Sequence, residues 1–485
     1  MVAGAKVDSH LLVVFGGLGD LAQRKLIPAI YSLQSQSRLG SSSAVLAVDT
    51  LTDMDDDSYR SSLLEASASY AVDYGRWCGS TIHYAGVSGS ESDYAQLSLR
   101  VRELEQRHSL PGNRIFYLAV PPAAVVPIVQ SIHASGLVSV HGWTRLVLEK
   151  PFGHDLASAR DLNHGLHEFF DEESIYRIDH YLGKETVQNL LAFRFANSMF
   201  EHLWNSDHVE SIEITATESI GVGNRAAYYD SSGVVRDMVQ NHLCQLMSLV
   251  GMEPSESFDA RHLRQQKLRF LDSVAPAARD QSVLGQYSEG IVDGAQMLGY
   301  RQERGVPRDS RTPTFAAIRL EVNNERWAGV PFFLMSGKRL GSRHSHIAIQ
   351  FRDACASIFR PHETTCGLRP NLLLVTLQPD EGFDIRFQVK QPGPEYLLSS
   401  QLLRFRYDEA FGPLPDAYES LLQDVALGTA AHFVCDAEIE AAWRVVEPLL
   451  QTDEEPLSYV AGSRGPSAMD TLGARWIDPE EFHNR

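Results

Sequence analysis

Thiols are few and poorly placed for pairing. Five cysteines, Cys78, Cys244, Cys355, Cys366 and Cys435, are scattered, odd in number and without C-x-x-C spacing. That excludes a disulfide framework and a thiolate metal site, and no metal is expected. Long apolar runs are missing as well: no stretch reaches the roughly eighteen residues of a membrane span. The opening MVAGAK lacks the apolar core of a signal peptide. A cytoplasmic protein with no membrane partner is expected. Basic residues fall short too, since 43 Lys plus Arg against 62 Asp plus Glu leave a formal net charge of −19. Nucleic acid is therefore an unsuitable partner, and a local basic cluster gains meaning where a ligand is anionic. Internal repeats and low-complexity tails are not found.

What is present is ordinary for a globular enzyme, with 44% hydrophobic and 22% charged residues. A chain of 485 residues is too long for one core and suits two domains, drawn here at 1–178 and 179–485. In the first, apolar strand candidates at Val45 to Val48, Ile115 to Val120 and Leu146 to Leu148 alternate with helical stretches such as Tyr94 to Glu105 and Val125 to Ser135. This alternation implies an α/β domain, a doubly wound parallel sheet of the Rossmann type. In the second, Ile212/Ile214, Ile318/Leu320/Val322, Ile347/Ile349/Phe351 and Phe383/Ile385/Phe387/Val389 alternate with polar residues. Period-two patterning implies an α+β domain, its mainly antiparallel sheet buried on one face and more polar on the other. Helices at Val235 to Leu249 and Asp416 to Ala426 are expected to cover its inner face. Gly40 to Ser43 reads as a short loop and Thr452 to Ser467 as an irregular connection.

Near the start, the run Leu11 to Phe15 leads into Gly16, Gly17, Leu18, Gly19, Asp20 and Leu21, then a segment with Ala22, Leu26, Ala29, Ile30 and Leu33 inward. Gly17, Gly19 and Ala22 satisfy G-x-G-x-x-A. Glycines in such a strand-turn-helix allow a tight turn and close approach of backbone to a pyrophosphate, which the helix N-terminus stabilises. By itself the motif is weak, because glycine turns also join strands to helices in proteins that bind no nucleotide. Pro28 should kink the helix.

Two further stretches carry chemistry: RIDHYLGKE from Arg177 to Glu185, and RDMVQNH from Arg236 to His242. They supply two carboxylates, two imidazoles, a phenol and an ammonium, the groups needed to bind and oxidise a phosphorylated sugar. Oxidising a sugar hemiacetal needs a base for the hydroxyl proton while hydride leaves the same carbon for a nicotinamide. Histidine suits that task near neutral pH, and His242 is the candidate; an arbitrary histidine is more often structural. If an α-helix carries RDMVQNH, Asp237 and His242 are about 7.5 Å apart along its axis and reach different parts of one hexose.

VVFGGLGDLAQRKLIPAIYSL, FYLAVPP, EKPFG, RIDHYLGKE and RDMVQNH, in this order, resemble glucose-6-phosphate dehydrogenases. The likeness continues through QYSEG, VPFFLMSGKRLGSR, VTLQPDEG and PDAYESLLQDV, nearly the whole chain. The resemblance implies oxidation of glucose 6-phosphate to the 6-phosphogluconolactone, with His242 as base and Asp179 fixing its tautomer. His180, Tyr181 and Lys184 are then the phosphate pocket, assisted by free N–H groups if the stretch opens a helix. Glu218 and Asp237 accept hydrogen bonds from ring hydroxyls. Lys150, Lys338 and Arg343 complete the substrate pattern, and Lys150 also serves the coenzyme, as does Pro121. Pro151 is expected to be cis, a rigid hinge. A homodimer or homotetramer built through the antiparallel sheet is implied. Two other readings are an oxidoreductase for a different sugar or sugar phosphate, and a non-catalytic dinucleotide-binding regulator.

The departures from this family gather at the coenzyme. Where an NADP-using member carries an arginine after its second strand, this chain has Asp49 and Thr50. An acidic residue there accepts from ribose hydroxyls and repels a 2′-phosphate. Leu18 replaces the usual Ser or Thr, and Gln23 the usual Lys. NAD is therefore expected to be used better than NADP, unless Asp49 only caps a turn. Some members hold a second, structural NADP through a basic residue before the Q-P motif; the stretch here is Thr376-Leu377-Gln378-Pro379, and no such site is expected.

Overall fold

A computed structural model describes residues 7–39, 42–66, 72–353, 369–395, 397–451 and 454–484. Gly40 and Ser41 of the expected loop, Thr452, and Cys355 and Cys366 lie outside the described residues. Two compact units divide the chain: 1–184 with 256–264 and 415–439, and the remainder, 185–255, 265–414 and 440–485.

The first unit is built on six strands, β1 (His10–Phe15), β2 (Ser43–Asp49), β3 (Ile82–Gly86), β4 (Arg114–Leu118), β5 (Thr144–Leu148) and β6 (Ile175–Arg177). Every neighbour pairs in parallel, in the order β3-β2-β1-β4-β5-β6. This is the doubly wound Rossmann arrangement, whose order reverses between β1 and β4. Strand β1 is buried along its whole length, as expected of a central strand with helices on both faces. Pro28 does not break its helix. The turn before it, Ala22–Leu26, is π-wound and Ile27 N–H reaches back five residues to Ala22, so the proline falls in the first turn of Ile27–Ser35.

The helix at the late motif PDAYESLLQDV corrects an expectation. Ala417–Leu427 does not cover the antiparallel sheet; its Leu421, Leu422, Val425 and Ala426 join the first unit's core, and it packs on the helix Ile27–Ser35. An amphipathic stripe reveals that a face is buried but not against what. Asp416 caps its start by accepting from Tyr418 N–H at 3.0 Å. At its end Gly428 adopts φ +80°, and Arg145 donates to the carbonyls of Val425 at 2.6 Å and Ala426 at 2.8 Å.

The second unit holds β7 (Val209–Thr217), β8 (Ser282–Ser288), β9 (Gly290–Val292), β10 (Ala295–Met297), β11 (Phe315–Leu320), β12 (Phe332–Gly337), β13 (Ser345–Phe351), β14 (Leu372–Gln378), β15 (Gly382–Lys390), β16 (Leu398–Arg406) and β17 (Leu457–Val460). Apart from the hairpin β9–β10, they form one sheet in the order β16-β15-β14-β13-β7-β12-β11-β8-β17. Pairing is antiparallel except for β7 with β12 and β8 with β17. Strand β17 falls inside the stretch expected to be irregular.

The alternation read from sequence holds at β11, where Ile318, Leu320 and Val322 are buried while Arg319 and Glu321 are not; on β15 the phase is reversed, with Asp384 and Arg386 buried and Phe383, Ile385 and Phe387 only half-buried, and β7 and β13 are buried almost throughout. Their polar face is covered rather than wet. Glu213 on β7, 2% exposed, accepts the backbone N–H groups of Arg475 and Ile477 at 2.8 Å each, tying down the C-terminal segment. Desolvation there holds the Glu213 carboxyl above the usual carboxylate range. Against the sheet packs the Val235–Leu243 segment, which contacts β7 and β12. Among the described residues no helix is long and apolar enough to cross a membrane.

Candidate active site

The glycine turn sits at the C-terminal end of β1, at the point where strand order reverses. Gly16 has φ +81°, and a Cβ there would collide with the Ala119 carbonyl; at Gly17 a Cβ would lie 2.7 Å from Ala47 Cβ on β2. The first two glycines therefore serve the protein's own close packing. Ala22, fully buried, permits close helix-to-strand contact, while Asp20 is exposed and ion-paired to Arg24 at 2.8 Å. Asp49, at the end of β2, accepts the Leu18 N–H at 2.9 Å and the Thr50 N–H at 2.8 Å. One amide of the turn is thus committed to Asp49, and the carboxylate is held at the mouth of the loop. Pro121 follows β4 on the other side of the reversal and caps the helix Pro122–Ala134. A glycine turn and a carboxylate at such a crevice fit a dinucleotide.

The turn after β6 gathers the RIDHYLGKE side chains. Asp179, 2% exposed, accepts the Tyr181 N–H at 3.0 Å. Leu182, Gly183 and Lys184 return their N–H groups to Asp179, His180 and Tyr181 at 3.0, 3.3 and 3.1 Å. These amides are spent within the turn, so the expected free helix-start donors are not supplied by them. His180 and Tyr181 rings lie 5.0 Å apart, and the Lys184 ammonium lies 5.6 Å from the Tyr181 ring. The helix Ala417–Leu427 supports the turn from behind: a Cβ on Gly183 would lie 2.7 Å from the Ala417 carbonyl and 2.8 Å from Leu421 Cγ.

Lys150 begins a cis peptide to Pro151. Its predecessor, Glu149, is a residue that motif reading passed over. Tyr117 donates to Glu149 Oε1 at 2.5 Å and Tyr418 at 3.3 Å. Burial pushes this carboxyl up to about 7, against the two phenols and Lys150. A glutamate between an apolar strand and a proline was the available signal.

In the second unit, RDMVQNH lies in Val235–Leu243, and this segment is π-wound rather than α-helical: Cys244 N–H reaches Val239, five residues back. That changes the geometry expected for Asp237 and His242. In an α-helix residues five apart point about 140° away from each other; i→i−5 winding stacks them on one face. Asp237 is 8% exposed and His242 1%. Short π segments recur at functional sites, and sequence periodicity does not reveal them. Glu218, just past β7, forms a short ion pair with Lys338, just past β12. Both sit by Tyr229, whose ring lies 5.0 Å from the Lys338 ammonium and whose phenol is held far above its usual range by burial and by the Asp237 and Glu218 charges. Tyr229, absent from the sequence candidates, thus marks where three of them meet. Its hydroxyl is buried with no hydrogen-bond partner among the described residues. Arg343 is exposed and lines a different cavity with Ser219, His344, Thr376, Asp380 and Arg406.

Comparison with known proteins is consistent along the chain. Residues 13–189 match the family model for the glucose-6-phosphate dehydrogenase NAD binding domain, and 191–477 that for the glucose-6-phosphate dehydrogenase C-terminal domain. A glucose-6-phosphate 1-dehydrogenase of Aggregatibacter actinomycetemcomitans is 41% identical over 484 residues, covering 97% of each chain. One from Bacillus subtilis is 37% identical, covering 96% of this chain and 98% of the relative. Among solved structures, a glucose-6-phosphate dehydrogenase in complex with its substrate glucose-6-phosphate superposes with a TM-score of 0.90 at 31% identity, covering 98% and 99% of the two chains. The enzyme from Mycobacterium avium gives 0.85 at 32% identity, with the same coverage.

Proposed function

The chain belongs to the glucose-6-phosphate dehydrogenase family, and on that premise we propose that it oxidises glucose 6-phosphate at the anomeric carbon to 6-phosphoglucono-1,5-lactone. The observation that carries this reading is the cluster at Tyr229: the Lys338 ammonium over its ring and the Glu218 and Asp237 charges acting on its phenol, with His242 five residues on from Asp237 in the same π-wound segment. Carboxylates suit a polyol because its hydroxyls need acceptors. A nicotinamide dinucleotide, when bound, supplies the hydride acceptor.

His242 takes the proton of the anomeric hydroxyl, and Asp179 holds the imidazole in one tautomer, by the family pattern. His180, Tyr181 and Lys184 bind the phosphate, Lys184 as point charge. Lys150 lies between the coenzyme's and the sugar's reacting ends, and Arg343 contributes at the edge of the substrate region. Gly16 to Leu21, Asp49, Thr50 and Pro121 bind the dinucleotide. The two domains of this reading divide near 178. NAD is preferred to NADP, because Asp49 repels a 2′-phosphate and its carboxylate is fixed by the Leu18 and Thr50 amides.

The subunits associate as a homodimer or homotetramer through the outer antiparallel strands, where Phe383 and Ile385 on β15 pair with Phe405 and Leu403 on the edge strand β16. Absorbance at the reduced-nicotinamide band, with glucose 6-phosphate and each coenzyme in turn, tests reaction and coenzyme together. Turnover with NAD at higher kcat/KM than with NADP is expected; no turnover with either overturns the function, and an NADP preference overturns the coenzyme assignment.

A further inference from the structure

Glu303 belongs to none of the motifs, yet several groups converge on its side chain, which is 9% exposed. Tyr287 donates its hydroxyl to Oε1 at 2.7 Å, Arg339 Nη2 approaches the same oxygen at 3.4 Å, and Gly223 N–H approaches Oε2 at 3.4 Å. Burial and the adjacent carboxylate hold the Tyr287 phenol far above its usual range, so it remains a donor.

Around this carboxylate two backbone segments are zipped together, and they carry the sugar-site groups. Glu218 N–H donates to the Gly337 carbonyl at 2.9 Å, Leu340 N–H to the Glu218 carbonyl at 3.0 Å, and Arg339 N–H to the Ile220 carbonyl at 3.2 Å. Arg339 adopts φ +54°. A residue with a Cβ keeps that left-handed conformation only where its surroundings over-determine it. Here the guanidinium is held by Glu303 and the Arg339 carbonyl accepts Gly462 N–H at 2.7 Å. A Cβ at Gly221 would meet Glu303 Oε1 and lie 2.7 Å from Arg339 Nε, so any larger residue there has to displace these two side chains.

The geometry points to Glu303 as a positioning residue for the sugar site, clamping Arg339 and Gly223 so that the flanking Lys338 ammonium and Glu218 carboxylate keep fixed directions. This rests on the reading that Glu218 and Lys338 bind the hexose. Its role is mechanical: Glu303 touches neither sugar nor coenzyme, and acts through the turn it braces.

Steady-state kinetics of full-length variants test it. Glu303→Ala is expected to raise KM for glucose 6-phosphate about tenfold while KM for the coenzyme stays within about twofold. Glu303→Gln keeps one oxygen acceptor, for Tyr287, while losing the charge toward Arg339 and the acceptor facing Gly223, and recovers part of the loss. Gly221→Ala, which removes no functional group, reproduces the Glu303→Ala pattern with a folded circular-dichroism spectrum. In a Glu218→Gln background, Glu303→Ala has a smaller further effect than in the parent, because one of the two groups it aims is already gone. Multiplicative losses in that double variant, equal rises in both KM values, or wild-type kinetics for Glu303→Ala and Gly221→Ala each overturn the inference. A parent enzyme that fails to reduce coenzyme with glucose 6-phosphate sinks the functional reading and this one with it, and is recognised before any variant is made.

Discussion

Two phenols and little water surround the Glu149 carboxyl, and the direction of its shift makes stability depend on pH. Its unfolded value is 4.5 and its folded value about 7. A raised acid favours the folded state when protonated. Its contribution is therefore fully present below pH 4.5 and is lost as pH rises through about 7. Glu149→Gln should remove this dependence, so that the variant gains on the parent between pH 5 and pH 8 by up to about 3 kcal/mol. Denaturant titrations at both values check it, and a difference that does not change with pH refutes it. At His242, replacement by asparagine removes the proposed base but little volume. kcat should fall by several orders of magnitude with a modest change in KM, since a base acts in the transition state. Lys184→Ala should chiefly raise KM for the sugar phosphate. If both variants match the parent in the absorbance assay, these roles are misassigned.

Among elements, the helix Ala417–Leu427 supports the turn that carries His180 to Lys184, through the contact at Gly183. Gly183→Ala pushes the turn off that helix and should raise KM for glucose 6-phosphate with KM for coenzyme unchanged. A variant with unaltered kinetics would show that the turn tolerates displacement. The proposed site residues were drawn from short, contiguous motifs in which chemistry-bearing side chains cluster, and of these Lys338, Glu218 and Asp237 come together near Tyr229. The parallel sheet was readable from alternating apolar runs and helical stretches. Three things were not. The partner of the 417–427 helix is decided by long-range packing, and an amphipathic stripe is the same against any core. The π winding of Val235–Leu243 depends on backbone hydrogen bonds that leave no periodic trace in side chains. The burial of β7 and β13 on both faces depends on the C-terminal segment held by Glu213, more than 250 residues later in the chain.

For the whole molecule, the edge strand β16 presents Leu403 at 59% exposure, and Phe411 beyond it at 75%. Exposed apolar side chains at an open sheet edge favour association with another copy. Leu403→Arg should shift the enzyme toward monomer in size-exclusion chromatography with light scattering; an unchanged mass places the interface elsewhere. The order in which the chain is made adds one further consequence. The first unit needs Leu421, Leu422, Val425, Ala426 and Phe433 to complete its core, yet its main segment ends at Lys184. At ribosomal speeds of about 5–20 residues per second, the nascent unit waits on the order of 10–50 s for those side chains. Throughout that interval the helix Ile27–Ser35 exposes the apolar surface that Ala417–Leu427 will later cover, a natural docking point for a chaperone during synthesis.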